Sequence, residues 1–89
     1  MIAQVADFLR SLAPGPRKEL RAALRGLEDA GGDLKALEGD LAGLTRLRVG
    51  HYRVIVQFLS ESGQRIARCI FAERRSVIYE LFAEILRGE

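Results

Sequence analysis

The stretch Thr45-Arg-Leu-Arg-Val-Gly-His-Tyr-Arg-Val-Ile-Val-Gln-Phe-Leu59 limits what this chain can fold into more than any other. Residues 45–49 alternate, with Leu47 and Val49 on one side and Arg46 and Arg48 on the other. That two-residue period is the mark of a half-buried strand. Gly50-His51 suits a two-residue hairpin loop, because Gly takes a positive φ at the first loop position without strain. Tyr52 to Leu59 is rich in β-branched and aromatic residues, which favour a second strand. Such a loop pairs Val49 with Tyr52 and Arg48 with Arg53, and directly paired residues share a face of the sheet. One face then carries Leu47, Val49, Tyr52, Val54, Val56 and Phe58. The other gathers Arg46, Arg48 and Arg53 beside Ile55 and Gln57. Like charges placed opposite one another are unfavourable, so a sequence that keeps them predicts an anionic partner, either a substrate or a protein.

The flanking segments supply what the apolar face needs. Ile2, Val5, Leu9 and Leu12, with Phe8 beside them, recur at helical spacing and predict an amphipathic helix over 3–12. Pro14-Gly15-Pro16 breaks it, and Pro16 suits the first position of a second helix, about 16–29. Leu20, Ala23, Leu24 and Leu27 form that helix's apolar stripe, and Gly31-Gly32 stops it. So short a turn makes the two helices an antiparallel hairpin, with stripes to lay on the sheet. Asp33 to Leu44 reads as a connection, since Gly39 and Gly43 oppose a long helix, and its leucines are expected to plug one edge of the core. Residues 60–64 read as a loop. Residues 65–72 read as a third strand, with Ile66 and Ile70 on one face and Ala67, Cys69 and Phe71 on the other. Ile78, Leu81, Phe82, Ile85 and Leu86 mark a C-terminal helix from Ser76, a good N-cap. The expected fold class is α+β: an N-terminal helical hairpin on a small antiparallel sheet of three or more strands, closed by a C-terminal helix. With 89 residues the chain has too little length for two cores, so residues 1–89 are expected to form one domain.

Charge separates along this plan. The net formal charge is only +2. Residues 46–75, however, hold seven basic side chains against two acidic ones, while the first 45 residues hold six against seven. A basic segment of this kind suits nucleic acid or an acidic protein segment, although charged faces are also commonly just solvated. Cys69 is the sole cysteine, which leaves no intrachain disulfide and no Cys-rich metal site. It reads as a small core residue. One His without further Cys gives no zinc site, and no cofactor is expected. No apolar run approaches a membrane span, and Asp7 and Arg10 within the first helical pattern argue against a signal peptide. The expected location is the cytoplasm.

The central residues also carry a resemblance. Leu37-Glu38-Gly39-Asp40-Leu41-Ala42-Gly43-Leu44, followed by Arg46-Leu47-Arg48-Val49-Gly50-His51-Tyr52-Arg53-Val54-Ile55-Val56, resembles the centre of the RelE/ParE superfamily of type II toxin–antitoxin toxins. Arg74-Arg75-Ser76-Val77-Ile78-Tyr79 resembles that superfamily's closing element. The likeness spans roughly residues 3–86. It does not separate the superfamily's activities. What it implies is a toxin, either an mRNA endonuclease acting on ribosome-bound message or a ParE-like inhibitor that binds DNA gyrase. A non-toxic relative that only binds an antitoxin is the remaining alternative. The implied partner in each case is a cognate antitoxin protein. Most members open with a β-strand before the helical hairpin, whereas here the helix follows Met1 almost at once. A strand missing there is expected to leave a sheet edge open to strand addition by another chain.

RNA cleavage by a 2′-hydroxyl requires that the hydroxyl lose a proton, that the crowded phosphate be stabilised, and that the 5′-oxygen leave with a proton. Guanidinium groups suit the second task, because their planar fork matches phosphate oxygens. By the resemblance, Arg53 is the leading residue for phosphate stabilisation and Arg46 matches a basic position on the preceding strand. Arg75 matches the arginine of the closing motif, and Tyr79 matches the aromatic that stacks on a base or positions the 2′-hydroxyl. Arg48, Arg74 and His51 are candidates for RNA or partner binding. The sequence departs from the pattern at three places. Leu44 stands where RelE-like enzymes often carry a lysine, Glu73 where an arginine sometimes lies, and Arg74 where a histidine commonly precedes the closing arginine. Glu73 and His51 are the only groups that offer a general base. Each candidate also has a plainer reading: Arg48 and Arg53 as cross-strand surface residues paired with Glu73 or Glu38, Tyr79 as a cover for the core, and His51 as a turn residue.

Overall fold

The structure, a computed structural model, describes residues 2–27, 31–78 and 80–81. Two helices, α1 (Ala3–Ser11) and α2 (Pro14–Arg25), precede four strands: β1 (Asp33–Ala36), β2 (Thr45–Val49), β3 (Tyr52–Glu61) and β4 (Gln64–Arg74). The strands form one antiparallel sheet in the order β1-β2-β3-β4. This is the α+β arrangement expected from the change of period near Thr45. The proline break falls slightly earlier than expected, with Pro14 rather than Pro16 opening α2. The expected C-terminal helix lies mostly on residues 79 and 82–89, outside the described residues. Within them, the Leu81 N–H donates to the Val77 carbonyl at 3.0 Å.

The central hairpin has the register that its loop dictates. Val49 pairs with Tyr52, Arg48 with Arg53 and Leu47 with Val54, and Gly50 takes φ +57°. Leu47, Val49, Val54 and Val56 are buried against Val5, Phe8, Leu9, Leu12, Leu20 and Leu27 of the helical layer, with Tyr52 and Phe58 packed alongside. The Phe8 and Tyr52 rings meet edge to face at 5.7 Å between centroids. This geometry favours aromatic pairs because a positive ring edge meets a negative face.

Three expectations about the sheet are corrected. First, Asp33–Ala36 is not a connection. It forms β1, with Leu34 opposite Leu47 and Lys35 opposite Arg46. Second, the leucines that follow do not plug the edge of the main core. Leu37, Leu41 and Leu44 cross to the arginine side and pack on Ile55, Phe71 and Ile78 in a second apolar cluster. Third, Cys69 and Phe71 do not share a face. The β3–β4 register shifts between Ile55 and Val56, so Ile55 faces Phe71 but Val56 faces Cys69. The extra residue of such a bulge reverses which way the following side chains point. Cys69 therefore faces the helices, and Phe71 faces the arginine side. The expected 60–64 loop is also tighter, a two-residue turn at Ser62-Gly63 with both φ positive, +52° and +80°. That conformation matches the twist of the flanking strands.

β4 lies at an edge of the sheet, and α1 covers part of it. The Gln4 side-chain amide donates to the Ala72 carbonyl at 2.7 Å and accepts from the Ala72 N–H at 2.8 Å. A side chain thus supplies both bonds that a neighbouring strand would give. Replacing Gln4 with Ala strands both backbone groups in a part-buried position. The expected cost is about 1–3 kcal/mol, read as a lower denaturation midpoint with an unchanged slope in urea. An unchanged midpoint would mean that water replaces the amide without loss.

Candidate functional site

The sheet face opposite the helices carries a row of charges set by the register: Asp33, Arg48, Arg53 and Glu73 lie side by side across the four strands. Two residues further along, the next row across the four strands is Lys35, Arg46, Ile55 and Phe71. Lys35, Leu37, Arg46, Arg48, Arg53 and Arg75 line a hollow of about 430 Å³. Four of the predicted site residues are thereby brought together, Arg46, Arg48 and Arg53 from the hairpin and Arg75 from beyond β4. Arg75 also lines a second hollow, of about 610 Å³, with His51, Tyr52, Arg74 and Ser76. The predicted set therefore divides between two depressions that meet at Arg75. Tyr79 lies outside the described residues.

Arg53 is not an open surface cation. It is only 5% exposed, and its Nη1 donates to the carbonyls of Gly50 at 2.8 Å and Tyr52 at 2.9 Å. These bonds tie the guanidinium to the hairpin turn and hold it at the wall of the hollow. The turn itself is anchored to the end of β4, where the Arg75 N–H donates to the His51 carbonyl at 2.8 Å. His51 thus contributes through its backbone, and its side chain is exposed.

Arg46 and Arg48 share a partner that their sequence positions do not reveal. Asp33 accepts from Arg46 Nη2 at 3.2 Å and lies 2.6 Å from Arg48 Nε. The expected pairings of Arg48 with Glu38 or Glu73 are replaced by this one, because β1 sets Asp33 directly opposite Arg48. Both the Asp33 and Arg48 side chains are about half exposed, at 43% and 55%. Exposed pairs of this kind hold only weakly, roughly 0–1 kcal/mol, so a stronger anion can displace the carboxylate. Arg46 is more enclosed, and its Nε is shielded from solvent without a partner. A buried donor left unsatisfied is costly, and an anion in the hollow would satisfy it. Glu73, the other carboxylate of the row, accepts from the Arg74 N–H at 2.9 Å.

The sequence reading missed Lys35 and Leu37. Their signal was present, because Asp33-Leu34-Lys35-Ala36 alternates polar and apolar residues. Four residues are too few for the alternation to stand out against the glycines that follow. Cys69 lies on the helix side, away from the hollow, and burial pushes its thiol up from the ordinary value. It therefore stays a neutral thiol at neutral pH and is inert as a nucleophile. Among the described residues, no three His, Cys, Asp or Glu side chains gather as a metal site would need. No described helix is long and apolar enough to cross a membrane.

No protein-family model matches the sequence, and no curated protein matches it. Among solved structures, the chain is similar to one in the crystal structure of the RelB–RelE antitoxin–toxin complex from Methanococcus jannaschii. The likeness covers 83% of this chain and 87% of that one, with a TM-score of 0.56 and 22% sequence identity. It is a likeness of fold. An identity this low carries no residue roles with it.

Proposed function

We propose that the chain is the toxin of a type II toxin–antitoxin pair, of the RelE/ParE superfamily, and that it acts as an endonuclease on ribosome-bound mRNA. The observation that carries this reading is the gathering of Arg46, Arg48, Arg53 and Arg75 around one hollow on the sheet face opposite α1 and α2. The likeness of fold to a chain of a RelB–RelE complex supports the same assignment. In this mechanism the guanidinium groups bind the scissile phosphate and stabilise the charge that builds on it as a 2′-hydroxyl attacks. Arg53, already fixed by the turn carbonyls, needs no reorganisation to do so. Arg75, which lines the same hollow, contacts the phosphate as well, and Tyr79 packs on a base. Arg74 and His51, around the adjoining hollow, contact the neighbouring nucleotide or the partner. The partner is a small acidic antitoxin encoded beside this chain, whose carboxylates neutralise the arginine face. Strand addition along the part of the β4 edge beyond the Gln4–Ala72 contact would add backbone hydrogen bonds.

A binding-only reading is favoured by one specific feature. Among the described residues, the side chains that line the hollow are five cations and a leucine, with no carboxylate, imidazole or phenol. A ParE-like protein that holds DNA gyrase needs no general base. Inducing the chain in a bacterial host distinguishes the two. Cleavage of ribosome-bound message with arrested translation is the expected result. Blocked gyrase supercoiling with intact message would establish the second reading, and normal growth with neither effect would leave a non-toxic antitoxin-binding relative.

A further inference from the structure

Of the cations around the hollow, Lys35 is the one that neither the sequence pattern nor the resemblance brings forward. It sits on β1 directly opposite Arg46, on the arginine face, and is exposed. Two residues earlier on the same strand, Asp33 takes Arg46 and Arg48 as ion-pair partners. Lys35 has no ion pair among the described residues, although it lines the same hollow as those two arginines, Arg53 and Arg75. Setting a lysine directly across from an arginine costs stability through like-charge repulsion. An anion between them reverses the sign of that interaction. The enclosed Arg46 Nε, without a partner beside Lys35, is a second donor in want of the same acceptor.

We infer that Lys35 is a substrate-contacting residue of this site, binding the same phosphate group as Arg46 from the neighbouring strand. The inference rests on the reading of the hollow as a phosphate site. An ammonium is a compact point charge on a flexible stem, so Lys35 reaches into the hollow without the geometric demands of a guanidinium fork. Asp33 and Lys35 then divide the labour of β1. Asp33 orients Arg46 and Arg48, and Lys35 restores the positive charge that Asp33 neutralises.

The test is binding of a labelled single-stranded oligoribonucleotide to the full-length chain, measured as a function of salt. Each phosphate contact to a single strand contributes about 0.7 to the slope of log affinity against log salt. Lys35→Ala is expected to weaken binding roughly tenfold, the loss of one charge-assisted hydrogen bond, and to lower that slope by about 0.7. Lys35→Arg is expected to keep the slope. Lys18→Ala, which removes the same charge from α2, is expected to leave it unchanged. Being exposed, Lys35 tolerates substitution without loss of fold. An unaltered slope in Lys35→Ala, with a lowered one in Arg75→Ala, overturns this inference and leaves the phosphate site standing. Equal losses in Lys35→Ala and Lys18→Ala also overturn it, since the effect is then one of net charge. If Lys35→Ala, Arg53→Ala and Arg75→Ala all bind as wild type does, or wild type does not bind, the reading of the hollow fails as well.

Discussion

Arg53→Ala is expected to lower the rate of ribosome-dependent mRNA cleavage by about 10²-fold or more, the usual effect of removing one preorganised donor from a developing oxyanion. The expectation rests on position. Arg53 is the most buried cation at the hollow, and its guanidinium is fixed by the Gly50 and Tyr52 carbonyls. Those same bonds mean that the substitution also loosens the turn. Leaving two carbonyls without their donor costs about 1–3 kcal/mol, a penalty that a surface cation would not carry. Arg53→Lys separates the two effects. It retains the charge and much of the packing but loses the fork, so most stability should remain while cleavage falls. The measurement is message cleavage in a purified translation system, with a thermal melt of each variant. Undiminished cleavage by a folded Arg53→Ala protein would remove Arg53 from the site.

The hairpin and its register were legible because strict alternation on both sides of Gly50-His51 admits one pairing that buries Leu47, Val49, Val54 and Val56 together. A slip of one residue would put Arg46, Arg48 and Arg53 in the core. The apolar helix stripes were legible for the same reason. Two things were not. The bulge at Ile55/Val56 leaves no local mark in the sequence, because β4 is apolar on both sides over this region. A period-two reading therefore ran straight through it and put Phe71 on the wrong face. The second was the environment of the arginines. A sequence pattern shows which face they share, but the partner Asp33 and the neighbour Lys35 arrive from a strand that is legible only once β2 is in place to pair with it. Likewise Leu37, Leu41 and Leu44 sit between glycines, with no period to show which side of the sheet they cover.

Leu47→Ala is expected to be the most destabilising conservative substitution on β2. Leu47 is fully buried, flanked in register by Leu34 and Val54. The chain also closes tightly over it. Gly32 takes φ +98°, and a Cβ there would come within 2.8 Å of Leu47 Cδ1. A side chain gripped from the sheet and from the turn before β1 leaves little freedom for neighbours to collapse into the space it vacates. Such Leu→Ala changes cost about 2–5 kcal/mol, rising with the residual cavity. A chain of this length has a total stability of roughly 4–13 kcal/mol, so the loss is a large share of it. The expected fall in melting temperature is on the order of 10–30 °C, at about 4–8 °C per kcal/mol for a domain of this size. Leu59→Ala is the internal comparison. Leu59 is 38% exposed near the tip of the β3–β4 hairpin, and its truncation should shift stability by no more than about 0.5 kcal/mol. Because Leu47 lies between Arg46 and Arg48 with its side chain on the other face, the surviving folded fraction of Leu47→Ala should bind anions with wild-type affinity. Equal melting temperatures for Leu47→Ala and Leu59→Ala would mean that β2 does not stand where its register puts it, and the arginine face would go with it.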